Sequence, residues 1–294
     1  MADQAPLSPT HELGPGPREI DLHGTSHPGK VRADNQDAFL IASLHNALVV
    51  HDTSLVDSEP ALFTSRRRGM LLAVADGVGG GSGGRDASQS ALRVAARYVC
   101  EAMDHYALNE PAAEPRFMQE MVRAVEMTHA EVREEGERDE TRRGMATTLT
   151  MVTIVWPRAH LIHVGDSRCY RLRNGNLRLL TKDQTMAQIM LDTGEMSVAE
   201  AQESRLRHVL WSAVGAPQAE PETASADVKW EDRMLLCSDG LTKHVSDDEI
   251  GEIMGRPVRS KEICRELIDL VLERGATDNV TVIVGQMHRA AGAA

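Results

Sequence analysis

The sequence predicts an α+β fold: two mainly antiparallel sheets packed face to face with helices outside, a four-layer α-β-β-α sandwich. Three observations carry that expectation. Apolar, strand-like runs fall in two groups, one over residues 38–75 and one from residue 147 onward. Helical periodicity comes in pairs between and after these groups instead of alternating with single strands, which argues against a doubly wound parallel sheet. Asn174-Gly175-Asn176 separates two short apolar segments and signals a hairpin, the connection of antiparallel strands. A hydrophobic fraction of 41% over 294 residues is enough for a substantial core. Aromatics at 3% leave that core to Val, Leu, Ile, Ala and Met.

The elements follow in order. Residues 1–18 are Pro-rich without an apolar pattern and are expected to form a disordered tail. A single domain is expected over 19–288, with a short tail at 289–294. Strands are expected at 38–42 and 47–50, then a loop over 51–69 that ends in Arg66-Arg67-Arg68, read as a solvated basic turn. The continuous apolar run 70–75 reads as a buried strand, and 77–84 as a Gly-rich turn. Helix 86–104 puts Ala91, Leu92, Ala95, Ala96 and Val99 on one face. After a break at 109–115, helix 116–138 carries Met118, Met121, Val122, Val125 and Val132 as its stripe. Strands follow at 147–156, 159–164, 168–173 and 177–180. Residues 183–217 hold two helical stretches and read as a flap laid over the sheet. Strand 233–238, helices 247–254 and 261–274, and strand 280–286 complete the chain, with no internal repeat.

Composition excludes several functions. A net charge of −12, from 44 acidic and 32 basic residues, argues against nucleic acid as a partner. Cys100, Cys169, Cys237 and Cys264 form no C-x-x-C pair and read as reduced thiols of a cytoplasmic protein. The N-terminal segment lacks a signal-peptide core, and no apolar run approaches the ~20 residues a membrane helix needs.

Three aspartates stand at the ends of apolar runs. Asp76 ends 70–75, Asp239 follows 234–238, and Asp278 precedes 280–284. A carboxylate where a buried strand emerges is costly unless something pairs with it. Three of them, far apart in sequence, suggest one shared partner, and Mg²⁺ or Mn²⁺ suits carboxylate and carbonyl oxygen. Gly77 and Gly240 follow two of the three, and a missing Cβ lets the next carbonyl approach an ion. Two ions ~3.5–4 Å apart activate one water and stabilise in-line displacement at phosphorus. One Asp-Gly alone is more often an ordinary turn; the set beside buried strands outweighs that reading.

Upstream, Arg32-Ala33-Asp34-Asn35-Gln36-Asp37 offers a further carboxylate in Asp37 and, in Arg32, a planar fork that matches phosphate oxygens. Asp166 in Gly165-Asp166-Ser167-Arg168 either holds a further, weaker metal or makes an Asx-type turn, two readings the residues weigh equally. Other features are set aside. His160 and His163, three apart in a strand, point to opposite faces and read as satisfied or surface imidazoles. Residues 79–84 lack the Gly-Lys-Ser/Thr of a P-loop. Ser167 and Ser238 lack a His-Asp pattern for nucleophilic catalysis. Met186, Met190 and Met196 read as helix packing.

Taken in order, Arg-x-x-Asn-Gln-Asp (32–37), Asp-Gly-x-Gly-Gly (76–80), Gly-x-x-Thr-Thr (144–148), Gly-Asp-Ser-Arg-x-Tyr (165–170), Ser-Asp-Gly-Leu (238–241) and Asp-Asn-Val-Thr (278–281) make the chain resemble the metal-dependent protein phosphatases of type 2C, in their bacterial branch. The resemblance covers roughly residues 20–287. It implies a β-sandwich flanked by helices and a metal-dependent protein serine/threonine phosphatase. Asp76 would bridge two Mn²⁺ or Mg²⁺ ions, with the Gly77 carbonyl on one of them. Asp239 and Asp278 would complete the first ion, and Asp37 would support the second, partly through water. Asp166 with Asp239 would hold a third, looser ion, and Arg32 would grip the substrate phosphate. The reaction would be direct attack of metal-bound hydroxide on phosphoserine or phosphothreonine, without a phosphoenzyme. The flap, with Arg207-His208-Val209-Leu210, would border the site and influence substrate choice.

The resemblance has departures. Where some members place a candidate general acid, His, after Asp-Gly, this chain has Val78, and where many bacterial members have His five residues after the Asp, it has Gly81. Protonation of the leaving group is therefore unassigned, and metal-bound water could supply it. Segment 43–69 is longer than the family leads one to expect and reads as a docking loop. The partners implied are phosphorylated proteins, a Ser/Thr kinase and its targets among them, in a secretion or cell-envelope system, with the chain acting as a monomer. The rival is a catalytically weak or inactive phosphoprotein-binding module on the same fold; retention of Asp37, Asp76, Asp239 and Asp278 favours the enzyme. An unrelated metallohydrolase or nuclease is a third reading, which the acidic charge disfavours.

Overall fold

The computed structural model describes residues 19–49, 62–79, 83–103 and 113–289, with Pro15. Two sheets face each other at its centre. In chain order the strands are β1 (Ile20–His27), β2 (Asp37–Val49), β3 (Leu62–Val78), β4 (Ala146–Thr147), β5 (Leu149–Val155), β6 (Arg158–Val164), β7 (Arg168–Arg173), β8 (Asn176–Leu179), β9 (Glu222–Asp227), β10 (Arg233–Cys237) and β11 (Val280–Met287). One sheet has the order β1-β11-β10-β7-β8, the other β2-β3-β5-β6-β9, and β4 pairs with the end of β3. Every ladder is antiparallel, as the hairpin signal implied. Asn174 and Gly175 in the β7–β8 turn both have positive φ, +51° and +76°, the two-residue geometry that matches strand twist.

Helices cover both outer faces. They are α1 (Gly83–Met103), α2 (Ala113–Arg138), α3 (Met186–Asp192), α4 (Val198–Glu203), α5 (Asp239–Thr242), α6 (Asp247–Met254) and α7 (Ser260–Glu273). Side-chain alternation along β3 explains its unbroken apolar run. Leu71, Ala73 and Ala75 face α1 and α2, where Ala91, Val99, Phe117 and Met121 are buried. Leu72 and Val74 face the other sheet, meeting Leu236 and Ile283. On the far side, Leu235, Val282 and Val284 pack under Ile250, Ile263 and Leu267 of α6 and α7. Three buried layers between four tiers are what a core poor in aromatics fills with medium-sized side chains.

Several expectations need correction. The two strands placed at 38–42 and 47–50 are one strand, β2, carried through register shifts between Leu44 and His45 and between His45 and Ala47. The expected loop 51–69 is strand from Leu62, so Arg66-Arg67-Arg68 lies within β3; residues 50–61 lie outside the described residues. Pairing of β3 with β5 stops at Met70, so Leu62–Gly69 pairs with β2 alone. Edge strands β1 and β9 were not expected: β1 is half-buried along its length and β9 is almost wholly exposed, so neither carries a continuous apolar run. Helix α2 starts before Pro115, not after it, because Pro is tolerated in a first helical turn. The tails placed at 1–18 and 289–294 lie almost entirely outside the described residues.

Candidate metal centre

The fold brings the predicted acids together from both sheets. Asp37 opens β2 and Asp76 lies near the end of β3, directly opposite each other in the ladder. Like charges so placed repel. From the other sheet, β10 runs through Ser238 into α5, whose first residue is Asp239. Ser238 links the two sheets: its hydroxyl donates to Asp37 Oδ2 at 2.7 Å and accepts the Thr281 N–H at 2.9 Å. Asp278, just before β11, is held by its neighbour Asn279. The Asn279 amide nitrogen donates to the Pro28 and Asp34 carbonyls at 2.8 and 2.9 Å, and its Oδ1 accepts the Gln36 N–H at 2.9 Å. The Asn-Gln-Asp and Asp-Asn-Val-Thr motifs are thus two halves of one hydrogen-bonded joint.

The remaining motifs set the backbone of Asp76. Its N–H donates to Thr148 Oγ1 at 2.9 Å, and its carbonyl accepts from the Thr148 N–H and the Thr147 hydroxyl, each at 2.9 Å. Thr148 Oγ1 is in turn 2.6 Å from Ser167 Oγ. Asp166, beside that serine, is 7% exposed. The two glycines answer to crowding from protein backbone more directly than to an ion. A Cβ at Gly77 would stand 2.1 Å from the Gly84 carbonyl oxygen, and one at Gly240 would stand 1.9 Å from that of Asn279.

Electrostatics shows how close the acids are. Burial, then Asp37, Asp239 and Asp166, push the Asp76 carboxyl well above the usual range. Burial, then Asp239 and Asp183, do the same to Asp166. Asp37 rises to about 6, chiefly through burial, against the hydrogen bond from Ser238. Asp278 moves the other way: burial would raise it, but hydrogen bonds from Lys243 and Arg32 outweigh burial.

Two cations sit among these acids. Lys243 Nζ is 2.5 Å from Asp239 Oδ2 and 2.8 Å from Asp278 Oδ2. Arg32 lies at the mouth, 56% exposed, with Nε 2.8 Å from Asp278 Oδ1. Sequence reasoning placed Arg32 on phosphate; in this structure its fork rests on Asp278. Lys243 was missed, though it stands four residues after Asp239 on a helix, the spacing of a facing pair. His244 was also passed over; it and His208, which sequence reasoning placed in the flap bordering the site, both feel the charges of Asp239 and Asp278.

The donor set fits hard divalent ions. Asp37 Oδ1 and Asp239 Oδ1 are buried without a hydrogen-bond partner, and a buried carboxylate oxygen of that kind calls for a cation. Among the described residues no three His, Cys, Asp or Glu side chains already stand in ion-binding geometry; Lys243 and Arg32 take up the charge instead.

The flap is rooted in the same place. Arg168 grips Asp183 through two bonds of 2.9 and 2.7 Å. Gln184 Oε1 accepts the Gly165 N–H at 2.9 Å, and its Nε2 donates to the Glu220 carbonyl at 2.8 Å, so one side chain ties both ends of the flap to the Asp166 turn.

The chain is similar to known proteins in sequence and in fold. A family model described as Protein phosphatase 2C matches residues 60–280. Serine/threonine protein phosphatase PstP of Mycobacterium tuberculosis (strain CDC 1551 / Oshkosh) is 35% identical over 231 residues, which cover 79% of this chain and 42% of PstP. Serine/threonine phosphatase stp of Listeria monocytogenes serotype 4b (strain F2365) is 31% identical over 228 residues, covering 76% of this chain and 86% of that relative. The chain therefore spans less than half the length of PstP. The solved catalytic domain of PstP in complex with two manganese ions superposes with a TM-score of 0.68 at 32% identity, covering 92% of this chain and 99% of that one.

Proposed function

The chain belongs to the protein phosphatase 2C family, and from that premise we infer that it is a metal-dependent protein phosphatase that hydrolyses phosphoserine and phosphothreonine. The observation that carries this reading is the convergence of Asp37, Asp76, Asp166, Asp239 and Asp278 from both sheets, with the Oδ1 atoms of Asp37 and Asp239 buried and unpartnered. In this reading Asp76, Asp239 and Asp278 would hold one Mn²⁺ or Mg²⁺, Asp76 and Asp37 would hold a second, with the Gly77 carbonyl on one of the two, and Asp166 with Asp239 would hold a looser third. When bound, the ions supply an activated water and neutralise charge on the phosphoryl oxygens. The protein's own groups do the rest. The Thr147-Thr148 pair fixes Asp76, Ser238 orients Asp37, Arg32 at the mouth receives the substrate phosphate, and the flap borders the approach.

The partners proposed are phosphorylated proteins, a Ser/Thr kinase and its targets among them, met by a monomer in the cytoplasm. The free thiols Cys100, Cys169, Cys237 and Cys264 support that compartment. Among the described residues no helix is long and apolar enough to cross a membrane. The test is turnover of a phosphothreonine peptide with Mn²⁺, Mg²⁺ or EDTA, for the wild type and Asp239→Asn. Metal-dependent hydrolysis that falls by about a hundredfold or more in the variant is expected, the scale of losing a group that stabilises the transition state. Folded protein that binds the phosphopeptide yet turns over none of it with either metal would instead establish the binding-module rival.

A further inference from the structure

The acidic cluster already contains a cation of the protein's own. Lys243 follows α5 one turn after Asp239, and its backbone N–H donates to the Asp239 carbonyl at 2.9 Å. Its side chain therefore lies over the Asp239 carboxylate and reaches Asp278 beyond it. The two Nζ contacts, 2.5 and 2.8 Å, use one oxygen from each aspartate. The side chain is 19% exposed, and its charge is also felt by Asp76 and Asp166. Arg32 is a weaker anchor: it reaches Asp278 alone, from an exposed position where solvent screens it.

An ammonium 2.5 and 2.8 Å from those two oxygens repels a divalent ion brought to the same pair of carboxylates and competes with it for their charge. We propose that Lys243 is the resident cation of this centre: it holds Asp239 and Asp278 together in the metal-free protein, is displaced when a divalent ion binds them, and so weakens the affinity of the first ion. The proposal rests on reading the cluster as a metal centre and adds to it a residue that tunes occupancy. Two effects of removing the ammonium have the same sign. The metal loses its competitor, and the metal-free carboxylates lose the charge that offsets their mutual repulsion. Both favour the loaded form.

The experiment is Mn²⁺ titration by calorimetry of the EDTA-stripped full chain, for the wild type, Lys243→Gln and Lys243→Arg, with urea unfolding of each metal-free form. Lys243→Gln is expected to bind Mn²⁺ about tenfold more tightly and, without metal, to unfold at lower urea. Lys243→Arg keeps the charge and is expected to stay within about threefold of the wild type. If Lys243→Gln does not fold, Lys243→Met, of similar length and uncharged, is read the same way. A wild type that binds Mn²⁺ with neutral variants no tighter overturns the role of Lys243 and leaves the metal centre standing. No Mn²⁺ binding by the wild type overturns both.

Discussion

His163 shows how much a single side chain gains from its surroundings. It is fully buried, with Nδ1 2.8 Å from Thr150 Oγ1 and Nε2 3.1 Å from the Lys182 carbonyl. Burial holds its pKa down near 4 from an ordinary 6.5, with Asp183 opposing and Arg168 assisting. In the unfolded chain the imidazole takes its proton near pH 6.5; in the folded protein it does so only near 4. Between those values the unfolded state holds more protons, so stability falls as pH falls. Unfolding free energies compared at pH 6.5 and 4 should show the wild type losing roughly 2–3 kcal/mol more than His163→Gln. Equal losses would place the acid sensitivity elsewhere. The acids of the centre were legible in the sequence because a carboxylate closing an apolar run is anomalous anywhere. Lys243 was not. A lysine four residues after an aspartate is an ordinary helical pair, and it becomes unusual only once the fold brings Asp278 against it.

Among the elements, the flap illustrates a segment whose position was readable and whose attachment was not. Its Met- and Gln-rich stretch stood out from the strands, and it does form α3 and α4. What roots it is Gln184, 1% exposed, bonded to Gly165 at one end and Glu220 at the other. Gln184→Ala leaves the buried Gly165 N–H without its acceptor, at about 1–3 kcal/mol. Because the loss is local, hydrogen exchange over 185–217 should quicken while that of β10 and β11 stays at the wild-type rate; uniform acceleration would mean the flap and core open together. The strands divide by the same logic. Those buried on both faces announced themselves as apolar runs. The exposed β9 is joined to β6 along its backbone ladder and leaves no apolar run in the sequence.

At the scale of the molecule, the acidic centre lies where both sheets end, so its occupancy is coupled to the stability of the whole sandwich. Mn²⁺ at a hundredfold above its dissociation constant should add roughly 2.7 kcal/mol to the unfolding free energy, reversed by EDTA. An unfolding midpoint indifferent to Mn²⁺ would uncouple the cluster from metal. The two-sheet architecture was legible from grouping and periodicity, but the order of strands was not, because pairing between residues 20–27 and 280–287 has no local signature. That pairing governs how the chain matures on the ribosome. Strand β1 emerges early yet finds its neighbour only after residue 287 has left the exit tunnel. Asn35 and Ser26, which join it to Thr281, must wait equally long. Until then β10 and β1 present unsatisfied edges on either side of a missing strand, a state that invites chaperones or pairing with another nascent chain. Completion is thus all-or-none: the last strand closes the sheet, seats Asn279 and brings the acids into register in one step.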